Sequence, residues 1–163
     1  MKRTPIVLLI VVCSVICRAR SPGTPDRAEA EYYAAVYAEH YRIPVNLVRS
    51  IIQQESGWRS CTLSPKGATG LMQLMPETAR RFGVANPCDV KQNIAGGVRY
   101  LAWLKEHFHG DYRLVAAAYY AGEKRIQTQG LNYRNPDVVA YVRQVRAIYE
   151  QQQRLSAERG NVR

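Results

Sequence analysis

The sequence predicts a compact, nearly all-helical domain, and three observations carry that reading. Apolar residues recur at i, i+3 and i+4 in several separate segments. Those segments open at Pro or Asp and close near Gly, as Pro44 with Gly57 and Asp111 with Gly122 do. No apolar–polar alternation outlasts a few residues and no internal repeat is present, so strands and solenoids have no support. At 163 residues the chain suits one domain with a sizeable core.

Residues 1–19, "MKRTPIVLLIVVCSVICRA", place Lys2 and Arg3 before an apolar run from Ile6 to Cys17, with small Cys17 and Ala19 before a possible cleavage point. That pattern is a secretory signal peptide. A membrane anchor is the alternative, but the run is about 12 residues and a span needs roughly 20. Residues 20–29 begin "RSPGTPD" and read as a flexible leader, running into a helix over about 27–41 that "RIP" ends. The domain proper is expected over 30–150, with 151–163 a polar C-terminal tail.

A helix over about 44–56 follows, with Pro44 in its first turn and Gly57 just past its end. Ser, Pro, Gly and Thr mark 60–70 as a loop, after which "LMQLM" leads to a short helix opening at Pro76. "ANPCD" is a turn. Asp89 and Gln92 form a capping signature for a long amphipathic helix, carrying Ile94, Val98, Leu101 and Phe108, to about His109. Asp111 caps the next helix, "YRLVAAAYYAG", whose Ala-rich middle allows close helix approach and whose end is Gly122. There Leu114, Val115, Ala118 and Tyr119 form a stripe with Tyr120 at its edge. The last helix starts near Pro136, with Val138, Tyr141, Val142, Val145, Ile148 and Tyr149 on one face.

Glu55 is the first candidate for chemistry. Val48, Ile51, Ile52 and Glu55 continue one helical stripe, so a carboxyl stands where a hydrophobe is expected. The negative end of the helix dipole and burial along the stripe both disfavour the carboxylate and push its pKa up. The alternative is a side chain that rotates into water from a frayed last turn.

Export bears on the cysteines. Cys13 and Cys17 leave with the signal, while Cys61 and Cys88 remain in a compartment where disulfides persist. A bridge between them closes a loop of about 28 residues, worth up to roughly 3.6 kcal/mol, with two free buried thiols as the alternative. The formal charge of +10 calls for an anionic partner: nucleic acid, anionic lipid or an acidic envelope polymer. Export favours the envelope polymer, although many charges lie on polar helix faces.

The sequence has no Gly-rich phosphate loop, no Cys/His cluster and no "HExxH". His40, His107 and His109 read as surface residues, and Ser/His/acid catalysis has no local signature. What remains is one well-placed glutamate, a Gly/Ser loop beside it, and Tyr112, Tyr119, Tyr120, Tyr133 and Tyr141. A carboxylic acid kept neutral near pH 7 can protonate a glycosidic oxygen, and amphipathic aromatics bind sugars; the same tyrosines also suit a core with satisfied hydroxyls.

The run "ESGWRSCTLSPKGATGLMQLMPETARRFGV", with "CDVKQNIAGGVRYLAWL" and "AAAYYAGEKRI" after it, resembles the lytic transglycosylase (SLT) domain of the α+β lysozyme-like superfamily. The resemblance covers about residues 30–150. It implies a helical lysozyme-like fold with a groove for peptidoglycan glycan strands. By position, Glu55 matches the family's single catalytic acid/base, and Ser64, Gln73, Met75 and Tyr119 match groove residues. Tyr141 matches a tyrosine near the catalytic carboxyl. Tyr120 stands where the family usually has a substrate-facing Asn, and Asp137 stands where a Glu is common.

The reaction this implies needs no second carboxylate: Glu55 protonates the oxygen between N-acetylmuramic acid and N-acetylglucosamine, then takes the proton of the muramoyl C6 hydroxyl as a 1,6-anhydro ring closes. No metal or cofactor enters. The signal peptide predicts a periplasmic protein, export and the lack of any recognition motif oppose nucleic acid, the short apolar run opposes a stable membrane anchor, and a monomer is expected. Its small size is similar to that of transglycosylases serving a secretion, conjugation or pilus apparatus. Rival readings are a muramidase of the same fold, in which water attacks, and a non-catalytic peptidoglycan-binding component.

Overall fold

The computed structural model describes residues 27–161, with side chains through Glu158. The signal segment and most of the leader expected before residue 27 lie outside the described residues. The elements are α1 (Arg27–His40), α2 (Val45–Ser56), α3 (Pro76–Arg81), α4 (Val90–His107), α5 (Tyr112–Ala121), α6 (Glu123–Gln129), a 3-10 turn (Gly130–Asn132) and α7 (Pro136–Asn161). Among the described residues there is no β-sheet, only two isolated antiparallel bridges, Leu63 with Thr69 and Thr69 with Leu74. No described helix is long and apolar enough to cross a membrane.

α4 is the central helix. Ile94, Val98, Leu101 and Leu104 are fully buried along its length, and each is worth about 2 kcal/mol of burial. On one side α1 lies against it through Ala30, Ala34 and Ala38, an i, i+4, i+8 row of buried small residues that lets the helices close up. α5 packs between α4 and α7 with Ala116, Ala117 and Ala118 buried. α2 packs on α7 and α1 through Leu47, Val48, Ile51 and Ile52. The pairing of α2 with α7 brings together residues 86 positions apart and builds the site.

Helix ends follow the expected chemistry with local differences. Asp89 accepts from the Gln92 N–H at 2.8 Å, and Asp111 from the Arg113 N–H at 3.0 Å. Gln92 does not reciprocate; its Oε1 accepts from the N–H groups of Ala85 and Asn86 and closes the preceding turn. Pro44 stands at the cap position, one residue before α2. Gly57 adopts a left-handed φ of 58° and its N–H donates to the Gln53 carbonyl at 3.1 Å, the geometry that ends a helix at glycine.

Three features differ from the sequence reading. α6 and the 3-10 turn were not foreseen, because "EKRIQTQ" buries only Ile126 and is too short to show a period. α7 continues through the segment read as a tail, to Asn161; its Gln, Arg, Glu and Ala residues are good helix formers, and the Asn46 amide donates to Gln153 at 3.2 Å. His107 is not a surface residue. It is half-buried, its ring stacked 4.9 Å from Trp103 one turn earlier, with Nε2 buried and unpartnered.

Candidate active site

Glu55 lies in the last turn of α2, half-buried, on the wall of a cleft of about 400 Å³. The turn is pinned from within: Ser56 Oγ donates to the Ile52 carbonyl and accepts from the Trp58 N–H, so the helix end does not fray into water. Facing it from α7, the Tyr141 hydroxyl donates to Glu55 Oε1 at 2.5 Å. Among the described residues Oε2 takes no hydrogen bond. Burial raises the Glu55 pKa from an ordinary 4.5 to about 7, and the Tyr141 hydrogen bond opposes that rise. The carboxyl is therefore poised between acid and base near neutral pH.

The cleft gathers most of the residues expected there. Ser64, Gln73, Met75, Tyr119 and Tyr120 all line it with Glu55. Ser64 and Gln73 are held by their own loop: Ser64 Oγ accepts from the Ala68 N–H at 3.0 Å, and Gln73 Nε2 donates to the carbonyls of Thr62 (2.7 Å) and Gly70 (3.0 Å). The Gln73 Oε1 stays available to a ligand. Gln73 holds a left-handed φ of 45°, an uncommon backbone for a residue with a Cβ, kept in place by those two bonds. Met75 is 44% exposed and offers an apolar surface on the same wall.

The tyrosines divide by role. Tyr119 presents its ring to the cleft while its hydroxyl donates to the Met72 carbonyl at 2.8 Å, fastening α5 to the loop. Tyr141 is buried and does not line the cleft; it acts on Glu55 from behind, and burial raises its own pKa well above the ordinary phenol value. Tyr120, the residue at the stripe's edge, is 48% exposed and stacks on Tyr141 with ring centroids 4.7 Å apart. It thus covers the Tyr141–Glu55 pair and lines the cleft at once. Tyr112 and Tyr133 lie elsewhere, outside the cleft walls.

The floor and rim also hold residues that the sequence reading did not single out: Lys66, Arg125 and Asn135. Lys66 belongs to the "SPKGA" stretch already quoted, and Asn135 precedes Pro136 as a capping residue, its Oδ1 accepting from the Asp137 N–H at 2.9 Å. Arg125 had no signal, because α6 itself had none. Asp137 lines the cleft as an exposed second carboxyl. Cys61 and Cys88 are joined in a disulfide that ties the loop after α2 to the turn before α4.

A further recess, about 150 Å³ and almost wholly apolar, lies between α2, α5 and α7 at Pro44, Leu47, Tyr112 and Val142. It holds no titratable group of the Glu55 site and belongs to a different face.

Known proteins match this chain over the same elements. Residues 32–141 match the family described as Transglycosylase SLT domain. The soluble lytic murein transglycosylase of Escherichia coli (strain K12) is 34% identical over 120 residues, covering 67% of this chain and 19% of that relative. The transglycosylase of Enterobacteria phage PRD1 is 43% identical over 84 residues, covering 50% of this chain and 31% of that relative. The crystal structure of the 70 kDa soluble lytic transglycosylase Slt70 from Escherichia coli superposes with a TM-score of 0.67 at 28% identity, covering 72% of this chain and 23% of that one. The chain thus spans less than a third of the length of these relatives.

Proposed function

The chain belongs to the transglycosylase SLT domain family, and from that premise we propose that it cleaves the glycan strands of peptidoglycan as a lytic transglycosylase. The observation that carries this reading is the Glu55 carboxyl: half-buried, with a pKa raised to about 7, on the wall of a cleft with Tyr119 and Tyr120. A carboxyl with its pKa raised toward neutrality can both give and take a proton there, the poise a single acid/base needs.

In the proposed reaction Glu55 gives its proton to the oxygen joining muramoyl C1 to O4 of the next sugar. The C1–O bond breaks and the leaving sugar keeps the proton as a hydroxyl. Glu55, now a carboxylate held by the Tyr141 hydroxyl, takes the proton of the muramoyl C6 hydroxyl as that oxygen bonds to C1. The 1,6-anhydro ring closes, Glu55 is an acid again, and no water is consumed. Tyr141 is the positioning residue, since its donated hydrogen bond favours the carboxylate that exists between the two proton transfers.

One observation favours a second reading. Asp137 places another carboxyl in the same cleft, and a second carboxylate can hold an attacking water, which would make the enzyme a hydrolase. Digestion of purified sacculi separates the two by product mass: the transglycosylase leaves anhydro ends, lighter by one water than the reducing ends a hydrolase leaves. Anhydro products from the wild type and none from Glu55→Gln are expected. Reducing ends that vanish in Asp137→Asn would establish the hydrolase, and no cleavage at all would reduce the protein to a binding component. The basic and apolar pattern of residues 1–19 supports export to the periplasm, where this substrate lies.

A further inference from the structure

Tyr120 touches the cleft and the residue behind Glu55 at once. Its ring lines the cleft wall, and it stacks on Tyr141 with centroids 4.7 Å apart and planes 23° from parallel. Tyr141 is only 5% exposed and does not line the cleft, and its hydroxyl donates to Glu55 Oε1. From the cleft inward the order is therefore the Tyr120 ring, the Tyr141 ring and the carboxyl. Among the described residues the Tyr120 hydroxyl has no hydrogen-bond partner, whereas the Tyr119 hydroxyl beside it is committed to the Met72 carbonyl. Ring contact holds Tyr120 in place, and cover is what the ring supplies.

The charged groups that share the cleft with Glu55 are Lys66 from the loop, Arg125 from α6 and Asp137 from α7; the phenols around it are Tyr119 and Tyr120 from α5 and Tyr141 from α7. Burial is nevertheless the dominant influence on the Glu55 carboxyl, with the Tyr141 hydrogen bond opposing it. Whatever keeps water out of this corner decides when Glu55 holds a proton.

We propose that Tyr120 is a positioning residue acting through Tyr141: its ring closes the cleft side of the Tyr141–Glu55 pair to water and so sets the pH range over which Glu55 serves as acid and base in turn. The proposal rests on the glycan-cleaving reading above for what Glu55 does. Removing the ring has two opposed effects. Water entering over Tyr141 stabilises the Glu55 carboxylate, while a Tyr141 ring freed from its stack holds its hydroxyl less firmly and stabilises the carboxylate less. Desolvation is the larger influence, so hydration wins and Glu55 gives up its proton at lower pH.

The test compares wild type, Tyr120→Phe, Tyr120→Asn and Tyr120→Ala, each checked by thermal melt. The Glu55 carboxyl is titrated without substrate by NMR of 13C-labelled glutamate, its signal identified by its loss in Glu55→Gln. The pH profile of kcat/KM, which reports the free enzyme, is measured on purified glycan strands. Tyr120→Phe should titrate with wild type, because it keeps the ring. Tyr120→Asn and Tyr120→Ala should titrate about one pH unit lower, and the alkaline limb of their profiles should move by the same amount. A ring that only stacks on sugar would change KM and leave both the titration and the limb in place, which overturns the proposal. A Glu55 that titrates higher in Tyr120→Ala overturns it too, since the ring would then act by holding the Tyr141 hydroxyl. A shift in Tyr120→Phe equal to that in Tyr120→Ala does the same, by assigning the effect to the hydroxyl. Should the titration move as expected while no protein cleaves strands, the water shield stands and the glycan-cleaving reading falls.

Discussion

At the scale of single residues, the Glu55 carboxyl is an instability that the fold retains. Its folded pKa of about 7 lies above the ordinary 4.5 of the unfolded chain, so the folded state binds the proton more tightly. Stability from this group is therefore complete below about pH 4.5, falls as pH rises, and is lost above about 7. The difference corresponds to about 3 kcal/mol. Glu55→Gln keeps the shape, still accepts from Tyr141 and does not titrate. It should melt higher than wild type at pH 8, with the gap closing toward pH 4.5, while turnover falls at least a hundredfold. Equal melting temperatures across that range would mean the carboxyl is not held in a desolvated site. Tyr120 poses the opposite question, because it is exposed yet stacked on Tyr141. Tyr120→Asn should keep activity by restoring a hydrogen-bonding group facing the cleft. Tyr120→Ala should raise KM several-fold with less than about 1 kcal/mol lost in urea unfolding, as an exposed ring leaves little cavity. A loss of several kcal/mol in both variants would make Tyr120 a packing residue.

At the scale of elements, the loop that carries Ser64, Gln73 and Met75 depends on one side chain of α4. Asn93 is fully buried; its Oδ1 accepts from the Met72 N–H at 2.8 Å, and its Nδ2 donates to the carbonyls of Thr69 (3.0 Å) and Pro87 (2.9 Å). Gly70, at φ 87°, lies so close that an added Cβ would stand 2.2 Å from Asn93 Nδ2. Asn93→Ala strands the Met72 N–H and the Pro87 carbonyl and leaves the Thr69 carbonyl only the Leu74 N–H, and should cost about 2 kcal/mol or more in chemical unfolding, with activity falling as the loop loosens. A loss below about 1 kcal/mol would show that the disulfide and the Tyr119 bond to the Met72 carbonyl hold the loop without Asn93. Neither the role of Asn93 nor the part of the cleft wall that α6 supplies through Arg125 was legible in the sequence. Asn93 sits on an otherwise apolar helix and its partners are 6 to 24 residues away, so no local period announces it. α6 buries a single residue and so leaves no stripe. Glu55, by contrast, was legible because α2 is bounded by Pro44 and Gly57 and its stripe ends on a carboxyl. The partner at Tyr141 came from family resemblance, as no sequence rule links positions on helices this far apart.

At the scale of the whole molecule, the formal charge of +10, which becomes +7 once Lys2, Arg3 and Arg18 leave with the signal, and the open cationic side chains at the cleft bear on how the protein would find the substrate proposed for it. Peptidoglycan with peptide stems is a polyanion, so long-range attraction should concentrate a basic protein on it. Such attraction is screened over roughly 10 Å at 0.1 M salt and roughly 3 Å at 1 M, whereas the Glu55–Tyr141 hydrogen bond is short and half-buried and feels salt little. Binding to sacculi and turnover of bound substrate should therefore separate. Co-sedimentation with sacculi is expected to drop several-fold as salt rises from about 0.05 to 0.5 M, while kcat on saturating soluble glycan fragments changes by less than about twofold. The same salt series on Glu55→Gln should trace the same sedimentation curve, because removing the acid leaves the surface field intact. If kcat falls in parallel with sedimentation, the positive charge acts in the reaction itself, and Lys66 and Arg125, which share the cleft with Glu55, are the groups to replace.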